Sequence, residues 1–367
     1  MKGVAQQSRK ITLIGLTALF SISCCAFAGD LEPPASPVPT MKTLTEIEPR
    51  TTIESLAGDA DSLYIITDPG SYYLTGNISS GVKHGITIAA DNVTIDLNGF
   101  SVIGMNTGGR DGITSSGGHY NVVVKNGIVR NWANGIVLRG YNFRCSELIV
   151  MDNNLTGIWA ENNAQILKCE ARNNLGGIGF HVEGYGAEFK DCIAQNNVVG
   201  FGAFHTVLAV NCVAHNNSSS GFDIGFAATI TDCVARENTD GITTNRFCAI
   251  TRCTVVENGN DGIWVRDSST VRECNLVNNH NIGIFVRESG SGCRIESNVV
   301  TGSDVGIKIL DDPGVHNHIV LKNSCSNDTT SYDMGSGNAY GPIIDVSGAG
   351  DMAGVPGAEH PWANFEF

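Results

Sequence analysis

The sequence predicts an all-β protein, a single right-handed parallel β-helix (solenoid) of about ten to eleven coils with N- and C-terminal caps. Three patterns support this class: a glycine-led repeat of about 21 residues, apolar residues spaced two apart within each repeat, and asparagine with glycine at the turns. Helical repeats would show a period of about 3.6 over longer units, and leucine-rich repeats would show leucine at several fixed places. Neither pattern occurs, so each coil is expected to consist of short strands stacked on the coil before it.

A glycine followed by Ile or Phe marks each predicted coil. Because alternate side chains of a strand point to opposite faces, the Ile or Phe is expected to face inward and the residues one and three positions beyond it to face outward. The glycines of these pairs are Gly85, Gly112, Gly135, Gly157, Gly177, Gly200, Gly221, Gly241, Gly262, Gly283 and Gly306.

Six successive coils share a second register, in which a cysteine is followed five residues later by an asparagine. The cysteines are expected to form one inward column, either as a stack of buried thiols, which we favour, or as paired disulfides. The asparagines are expected to supply the left-handed backbone positions of tight turns. The cysteines are Cys169, Cys192, Cys212, Cys233, Cys253 and Cys274, and the asparagines are Asn174, Asn197, Asn217, Asn238, Asn258 and Asn279.

The chain begins with a predicted signal peptide over residues 1–28. Basic residues precede an apolar run at 11–22, and Ala26-Phe27-Ala28 forms a small-residue cleavage site. We therefore expect a protein that is secreted, periplasmic or at the cell surface after cleavage near Ala28, with lipidation at Cys24 or Cys25 as the alternative. The following segments are a Pro-rich tether at 29–40, an N-terminal cap at 41–84, the β-helix repeats at 85–322 and a C-terminal cap at 323–367.

The charge composition limits the class of partner. With 37 acidic and 23 basic residues the formal net charge is −14, which argues against nucleic acid. An anionic polysaccharide is not excluded, because a local cluster of arginines can dominate the field within one groove. No segment after the leader reaches the roughly 20 apolar residues of a membrane span.

The outward positions that follow the glycine repeat predict a polysaccharide-binding groove. Aromatic side chains there alternate with histidine, acids and arginines, and sugar rings stack their C–H faces on aromatic rings while arginine holds a carboxylate or sulfate. The alternative is a face that is merely solvated or covered by another segment. The predicted substrate-binding residues are Trp159, Phe204, Asn245, Trp264, Arg266, Phe285 and Arg287.

The candidate catalytic residues on the same face are His181, Glu161 and Asp223. A lyase acting on a uronic acid needs a base and a cation near the carboxylate, but Arg266 lies about four coils, or 19 Å, from His181. A hydrolase needs two carboxylates about 5–9.5 Å apart, and Glu161 and Asp223 are about 14 Å apart by coil spacing. Glu161 with His181, or His181 with Asp223, remains usable.

The repeat at 85–322 resembles the right-handed parallel β-helix proteins of the pectate-lyase-like superfamily. The segments GSYYLTGN at 70–77, ITIAADNVTIDLNGFSVIG at 86–104 and HPWANFEF at 360–367 further resemble exported bacterial β-helix repeat proteins without assigned activity. The resemblance implies a polysaccharide ligand and, for an enzyme, a polysaccharide lyase or glycoside hydrolase. However, Asp311-Asp312 is followed by Pro-Gly-Val-His rather than the downstream Gly-His-Gly of polygalacturonases, and the calcium-dependent pectate lyase motifs are absent.

Three functional classes therefore stay open. They are a carbohydrate-active enzyme, a non-catalytic glycan-binding protein, and a structural or adhesive β-solenoid of the cell envelope. The sequence predicts no metal site and requires no cofactor, and calcium is implied by the resemblance alone. The oligomeric state is not indicated.

Overall fold

The computed structural model describes residues 49–106, 108–287, 291–311, 316–348 and 350–367. The predicted signal peptide and tether lie outside these residues. The first strands are β1 (Thr51–Thr52), β2 (Ser62–Ile66), β3 (Gly70–Tyr73), β4 (Ile78–Ser79), β5 (His84–Ile88), β6 (Val93–Asp96), β7 (Ser101–Ile103), β8 (Ile113–Ser115), β9 (His119–Arg130), β10 (Ile136–Met151), β11 (Ile158–Leu167) and β12 (Glu170–Arg172). The middle strands are β13 (Ile178–Lys190), β14 (Ile193–Gln195), β15 (Val199–Val210), β16 (Val213–His215), β17 (Ser220–Phe226), β18 (Thr229–Thr231), β19 (Val234–Arg236), β20 (Asp240–Thr244), β21 (Ala249–Thr251), β22 (Thr254–Val256), β23 (Ile263–Val265) and β24 (Thr270–Arg272). The last strands are β25 (Asn275–Val277), β26 (Ile282–Val286), β27 (Arg294–Glu296), β28 (Val299–Thr301), β29 (Val305–Ile309), β30 (Ile319–Leu321), β31 (Ser324–Ser326), β32 (Thr330–Met334), β33 (Ala339–Tyr340), β34 (Ile343–Asp345) and β35 (Asn364–Glu366).

Each coil contributes one strand to each of three parallel sheets, so the prediction of an all-β parallel β-helix is confirmed. Sheet A contains β2, β5, β8, β17, β20, β23, β26, β29, β32 and the first parts of β10, β11, β13 and β15. Sheet B contains β1, β3, β6, β18, β21, β24, β27, β30, β33 and parts of β9, β10, β11, β13 and β15. Sheet C contains β4, β7, β12, β14, β16, β19, β22, β25, β28, β31, β34, β35 and the last parts of β9 and β10. The long strands β9, β10, β11, β13 and β15 bend from one sheet into the next.

The solenoid has about 15 turns, so the predicted number of ten to eleven was too low. The extra turns come from both sides of residues 85–322. Parallel pairing starts with β1 on β3, and at the other end β35 pairs with both β31 and β34. These end turns lack the Gly–Ile and Cys–Asn signatures, which is why the repeat did not reveal them.

The inward side chain after each glycine forms the core. Phe180, Phe201 and Phe222 stack directly on one another, with ring centroids 5.3 and 4.7 Å apart, and all three are fully buried. Isoleucines continue the column above and below them. Because a single coil cannot cover its own inner face, this column holds neighbouring coils together.

The repeated asparagines form an internal ladder instead of the predicted left-handed turn positions. Asn217 Oδ1 accepts from the backbone N–H and the Nδ2 of Asn197, while Asn217 Nδ2 donates to Asn238 Oδ1 and to the Ala194 carbonyl. The positive φ angle belongs to the residue before each ladder asparagine, such as Asn216 at 52°. Buried amides that pair in this way satisfy the polar groups of the corner between coils. The ladder consists of Asn153, Asn174, Asn197, Asn217, Asn238, Asn258 and Asn279.

The cysteine column exists as predicted, and its members are buried free thiols. All ten cysteines in the described part of the chain are buried and unpaired. Outside the column, burial raises the pKa of the thiols of Cys145 and Cys325 to about 12 and that of Cys293 to about 11. Such thiols stay protonated at neutral pH and pack as small apolar groups.

Among the described residues, no helix combines the length and the apolar character needed to cross a bilayer. The helices described are two single turns of 3-10 helix, Ile53–Ser55 and Met352–Gly354.

Candidate functional site

Two columns of side chains project outward from sheet A, and the strand register fixes which residues are neighbours. The first column runs through Trp159, His181, Gly202, Asp223, Thr243, Trp264, Phe285 and Lys308. The second column contains the residues two positions further along each strand, which are Glu161, Glu183, Phe204, Gly225, Asn245, Arg266 and Arg287. All the residues predicted for the groove therefore lie on one face.

His181 occupies a different position on this face from the one predicted. Phe180 pairs with Ile158 and Phe201, so the coil glycine is Gly179 and not Gly177. The segment Gly-Gly-Ile-Gly-Phe contains two glycine–apolar pairs, Gly177-Ile178 and Gly179-Phe180. The prediction used the first pair, whereas the second pair is the one that is in register with the neighbouring coils. His181 consequently lies between Trp159 and Gly202 in the first column, and a shift of two residues leaves it on the outward face.

A depression of about 310 Å³ lies in the middle of this face. Gly202 lacks a side chain at the centre of this depression, and a Cβ built on it would lie 3.1 Å from Ile178 and 3.2 Å from His181 Nδ1. His181 and Phe204 bound one side of the depression, and their rings meet edge to face at 6.0 Å. Asp223, Thr243, Asn245 and Trp264 bound the rest, with Phe226 at the corner towards sheet B.

Three buried polar atoms, in residues that line the depression, have no hydrogen-bond partner among the described residues. They are His181 Nδ1, Asn245 Oδ1 and Trp264 Nε1. An unmade hydrogen bond of a buried group costs about 1–3 kcal/mol, so native proteins rarely leave such atoms unsatisfied. Three of them around one cavity are the features that a polar ligand would satisfy.

The charged groups of the depression have pKa values shifted in opposite directions. Burial lowers the pKa of His181, and the nearby Glu183 carboxylate only partly offsets this effect. Partial burial in the depression raises the pKa of Asp223, and the negative charge of Asp240 raises it further. Asp223 nevertheless keeps an exposed surface. His181 is therefore biased towards its neutral form and Asp223 towards its protonated form.

The guanidinium groups of two arginines lie over the ring of Trp264 at the far side of the depression. The Arg266 guanidinium lies 4.8 Å and that of Arg287 5.7 Å from its ring centroid. Trp264 and Arg287 also line an adjoining cavity of about 150 Å³ together with Asp240 and Asp261. Burial, followed by the charge of Asp240, raises the pKa of Asp261.

The predicted catalytic residues do not all meet. His181 and Asp223 both line the depression, one rung on either side of Gly202. Glu161 lies outside it and accepts a hydrogen bond of 2.7 Å from the Gly140 backbone N–H.

The predicted binding residues divide in the same way. Phe204, Asn245 and Trp264 line the depression, and Arg287 lines the adjoining cavity. Arg266 stacks on Trp264, and Phe285 is one rung beyond it. Trp159 is one rung before His181 and carries the Arg139 guanidinium at 5.4 Å from its ring.

The prediction missed several residues of the site. Asp240 and Asp261 stand immediately before the glycine of their repeats, in two of the three Asp-Gly-Ile segments of the chain, and this shared pattern was the available signal. Phe226 lies at a corner where no sequence pattern distinguishes it. No group of three or more His, Cys, Asp or Glu side chains within the described ranges is placed to hold a metal ion.

Comparison with known proteins identifies the family. The model of the right-handed beta helix region matches residues 141–277 and 179–325, which together make up just over half of the chain. No curated protein sequence matches.

Among solved structures, the A-module of the Azotobacter vinelandii mannuronan C-5 epimerase AlgE4 is 16% identical over 74% of this chain and 91% of its own, with a TM-score of 0.50. The A-module of AlgE6 from the same organism is 14% identical over 79% of this chain and 86% of its own, with a TM-score of 0.49. The periplasmic alginate epimerase AlgG is 12% identical over 79% of this chain and 83% of its own, with a TM-score of 0.40. At these identities the likeness is one of fold. The regular succession of three-strand coils and the family match agree, and the chain belongs to the right-handed β-helix family.

Proposed function

We propose that this protein is exported and binds a polysaccharide along the outward face of sheet A, with the central depression as its main subsite. The observation that carries the proposal is the set of three unpartnered polar atoms, His181 Nδ1, Asn245 Oδ1 and Trp264 Nε1, around one cavity. Export is inferred from the leader at residues 1–28.

A sugar fits the chemistry of this cavity better than a wholly apolar ligand. Hydroxyl groups both donate and accept, so one ring can satisfy the indole N–H of Trp264 and the amide oxygen of Asn245 together. The ring of Phe204, with 52% of its side-chain surface exposed, offers an apolar face for sugar C–H groups. The outward columns continue beyond the depression in both directions, so the site is open to a chain of several sugars.

The arginines favour a polysaccharide that carries carboxylate or sulfate groups. Arg266 and Arg287 lie together at Trp264, whereas Asp223 and, next to His181, Glu183 make the other side of the depression acidic. An anionic substituent is therefore expected to face the arginines and a neutral sugar surface to face the acids. The mannuronan C-5 epimerase module of similar fold indicates only that such a fold can serve a polysaccharide.

Binding is tested by affinity electrophoresis in gels that contain polyuronate, sulfated or neutral polysaccharides. The wild-type protein should be retarded by an anionic polymer, and Trp264→Ala and Phe204→Ala should abolish the retardation. Phe247→Ala is the matched control, because Phe247 has 62% of its surface exposed but lies outside the depression. Lack of retardation by every polymer, or equal retardation of all variants, would reject the proposal in favour of a structural solenoid.

Cleavage of the bound polysaccharide is a second candidate function, and the opposite pKa shifts of His181 and Asp223 favour it. A neutral imidazole is a competent base and a carboxyl group with a raised pKa is a competent acid, and the two flank a space over Gly202. Unsaturated products followed by ultraviolet absorbance would identify a lyase, and new reducing ends without unsaturation a hydrolase. His181→Asn and Asp223→Asn should each abolish product formation, with and without calcium. Asp223→Asn should keep gel retardation, because its carboxylate is not among the three unpartnered polar atoms that carry the binding proposal. If the wild-type protein binds and yields neither product, the function is binding alone.

A further inference from the structure

A serine, a histidine and an aspartate come together at the corner between sheets A and B, in coils that precede the depression. Ser116 Oγ lies 3.4 Å from His119 Nε2, and His119 Nδ1 lies 3.0 Å from Asp91 Oδ1. Ser116 directly follows β8, His119 begins β9, and Asp91 stands in the turn before β6. Only the stacking of coils brings these residues together, since Asp91 and His119 belong to different turns of the solenoid.

The hydrogen bonds around Asp91 fix the state of the histidine. Asp91 Oδ1 also accepts the Tyr120 backbone N–H at 3.1 Å. The bond to His119 and the bond to Tyr120 lower the pKa of Asp91, so its carboxylate is ionised at neutral pH. An ionised carboxylate holds the proton on Nδ1 of His119, which leaves the Nε2 lone pair directed to the Ser116 hydroxyl.

The space next to Ser116 suits an attacked carbonyl group. Ser116 is exposed, and a Cβ built on the following Gly117 would meet no atom within 4 Å. The described residues provide no acceptor for the backbone N–H of Gly117 or of Gly118. Two such N–H groups beside a nucleophile are the donors that stabilise the oxyanion of acyl transfer.

We propose that Ser116, His119 and Asp91 hydrolyse a carboxylic ester, with Ser116 as the nucleophile. The Ser116 oxygen forms a bond to the ester carbonyl carbon as His119 Nε2 takes the hydroxyl proton. The tetrahedral intermediate expels the alcohol oxygen, which receives that proton from His119 and leaves as a neutral alcohol. Water then attacks the acyl-serine, passing one proton through His119 back to the Ser116 oxygen, and the carboxylic acid is released. Water is the only co-reactant.

The surroundings indicate the kind of ester. Tyr120 and Tyr141 stack at 5.6 Å with planes 9° apart and are 48% and 44% exposed, which makes a flat aromatic surface next to His119. The Ser115 hydroxyl accepts the backbone N–H of Arg139 at 2.7 Å, and the Arg139 guanidinium lies over the ring of Trp159 in the outward column. The triad therefore lies at the N-terminal end of the proposed groove. On the basis of the proposed function, the substrate is an ester substituent of the polysaccharide, such as an O-acetyl group.

The hydrolytic step can be tested without any polysaccharide. Wild-type protein should release p-nitrophenol from p-nitrophenyl acetate, and a fluorophosphonate probe should label Ser116, located by peptide mass spectrometry. Ser116→Ala should abolish labelling, and Ser116→Ala and His119→Gln should each lower the rate at least about 100-fold. His215→Gln is the matched control, since His215 pairs with Glu237 at 3.1 Å on sheet C but has no part in the triad, and its rate should be unchanged.

Far-ultraviolet circular dichroism and melting curves should be the same for Ser116→Ala and the wild type, because Ser116 is exposed. Probe labelling that misses Ser116, or a Ser116→Ala variant as fast as the wild type, would overturn the proposal. The proposed polysaccharide binding and the proposed ester hydrolysis can be rejected independently of each other. Trp264→Ala should lose gel retardation and keep p-nitrophenyl acetate hydrolysis, whereas Ser116→Ala should lose hydrolysis and keep retardation. Release of acetate from an O-acetylated polysaccharide by the wild type, but not by Trp264→Ala, would link the two sites.

Discussion

Replacing Asn217 by Ala removes one rung of the asparagine ladder and should destabilise the protein more than any exposed substitution nearby. The side chain takes part in four hydrogen bonds: two from Asn197 at 3.0 and 3.3 Å, one to the Ala194 carbonyl at 3.2 Å and one to Asn238 at 2.8 Å. All the partners are buried, and each bond contributes about 1 kcal/mol net. The expected loss in free energy of unfolding is therefore about 4 kcal/mol.

The matched control is the neighbouring asparagine, Asn216→Gly. Asn216 is exposed, makes one side-chain bond of 2.8 Å to Asn196 and has a φ of 52°, which glycine adopts without strain. Its substitution should change the free energy of unfolding by about 0.5 kcal/mol or less.

Guanidinium unfolding followed by tryptophan fluorescence measures both values. Since coils of a solenoid can open separately, hydrogen exchange of residues 190–240 provides a local measurement. A loss below about 1 kcal/mol for Asn217→Ala, or equal losses for the two variants, would refute the role assigned to the ladder.

Three other predictions follow from particular residues. Burial raises the pKa of Asp328 to about 6, above its unfolded value, so the stability that it contributes is present below pH 4 and is lost as the pH rises through about 6. At pH 8 the free energy of unfolding of Asp328→Asn should therefore exceed that of the wild type by about 1 kcal/mol after allowance for solvent screening, seen as a higher melting temperature, with no gain at pH 4. A wild type that is the more stable at pH 8 would contradict this. Gly202→Val should fill the depression and weaken gel retardation at least 10-fold without loss of the β-sheet circular dichroism signal, and unchanged retardation would move the binding site elsewhere. In native protein the ten buried cysteines should resist a thiol reagent and react only on unfolding, whereas rapid native labelling would place the Cys233 column on the outer face.

The repeat predicted most of the fold because the same physical requirement recurs in every coil. An inward Ile or Phe after glycine recurs from coil to coil, and a buried Cys recurs in six successive coils, so both leave a periodic record in the sequence. The end turns leave none, and their outermost sheet A strands, β2 and β32, pair on one side only. The asparagines show a different limit: their spacing from the cysteines identified the ladder positions, but spacing does not distinguish a buried, hydrogen-bonded amide from a turn residue, and the positive φ belongs to the residue before each of them.

The candidate sites were harder to predict because the residues that form them depart from the repeat. Gly202 matters because it lacks the side chain that its column otherwise carries, and Asp223 faces His181 across that gap only once the register of His181 is known. The triad depends still more on register. Asp91 and His119 are separated by 28 residues, and they meet because the pairing of β6 with β9 places them on adjacent turns. A substitution that shifts the register of β6 against β9 should therefore separate Asp91 from His119 and abolish ester hydrolysis, while His181 and Asp223, placed by later coils, keep their positions and the gel retardation persists.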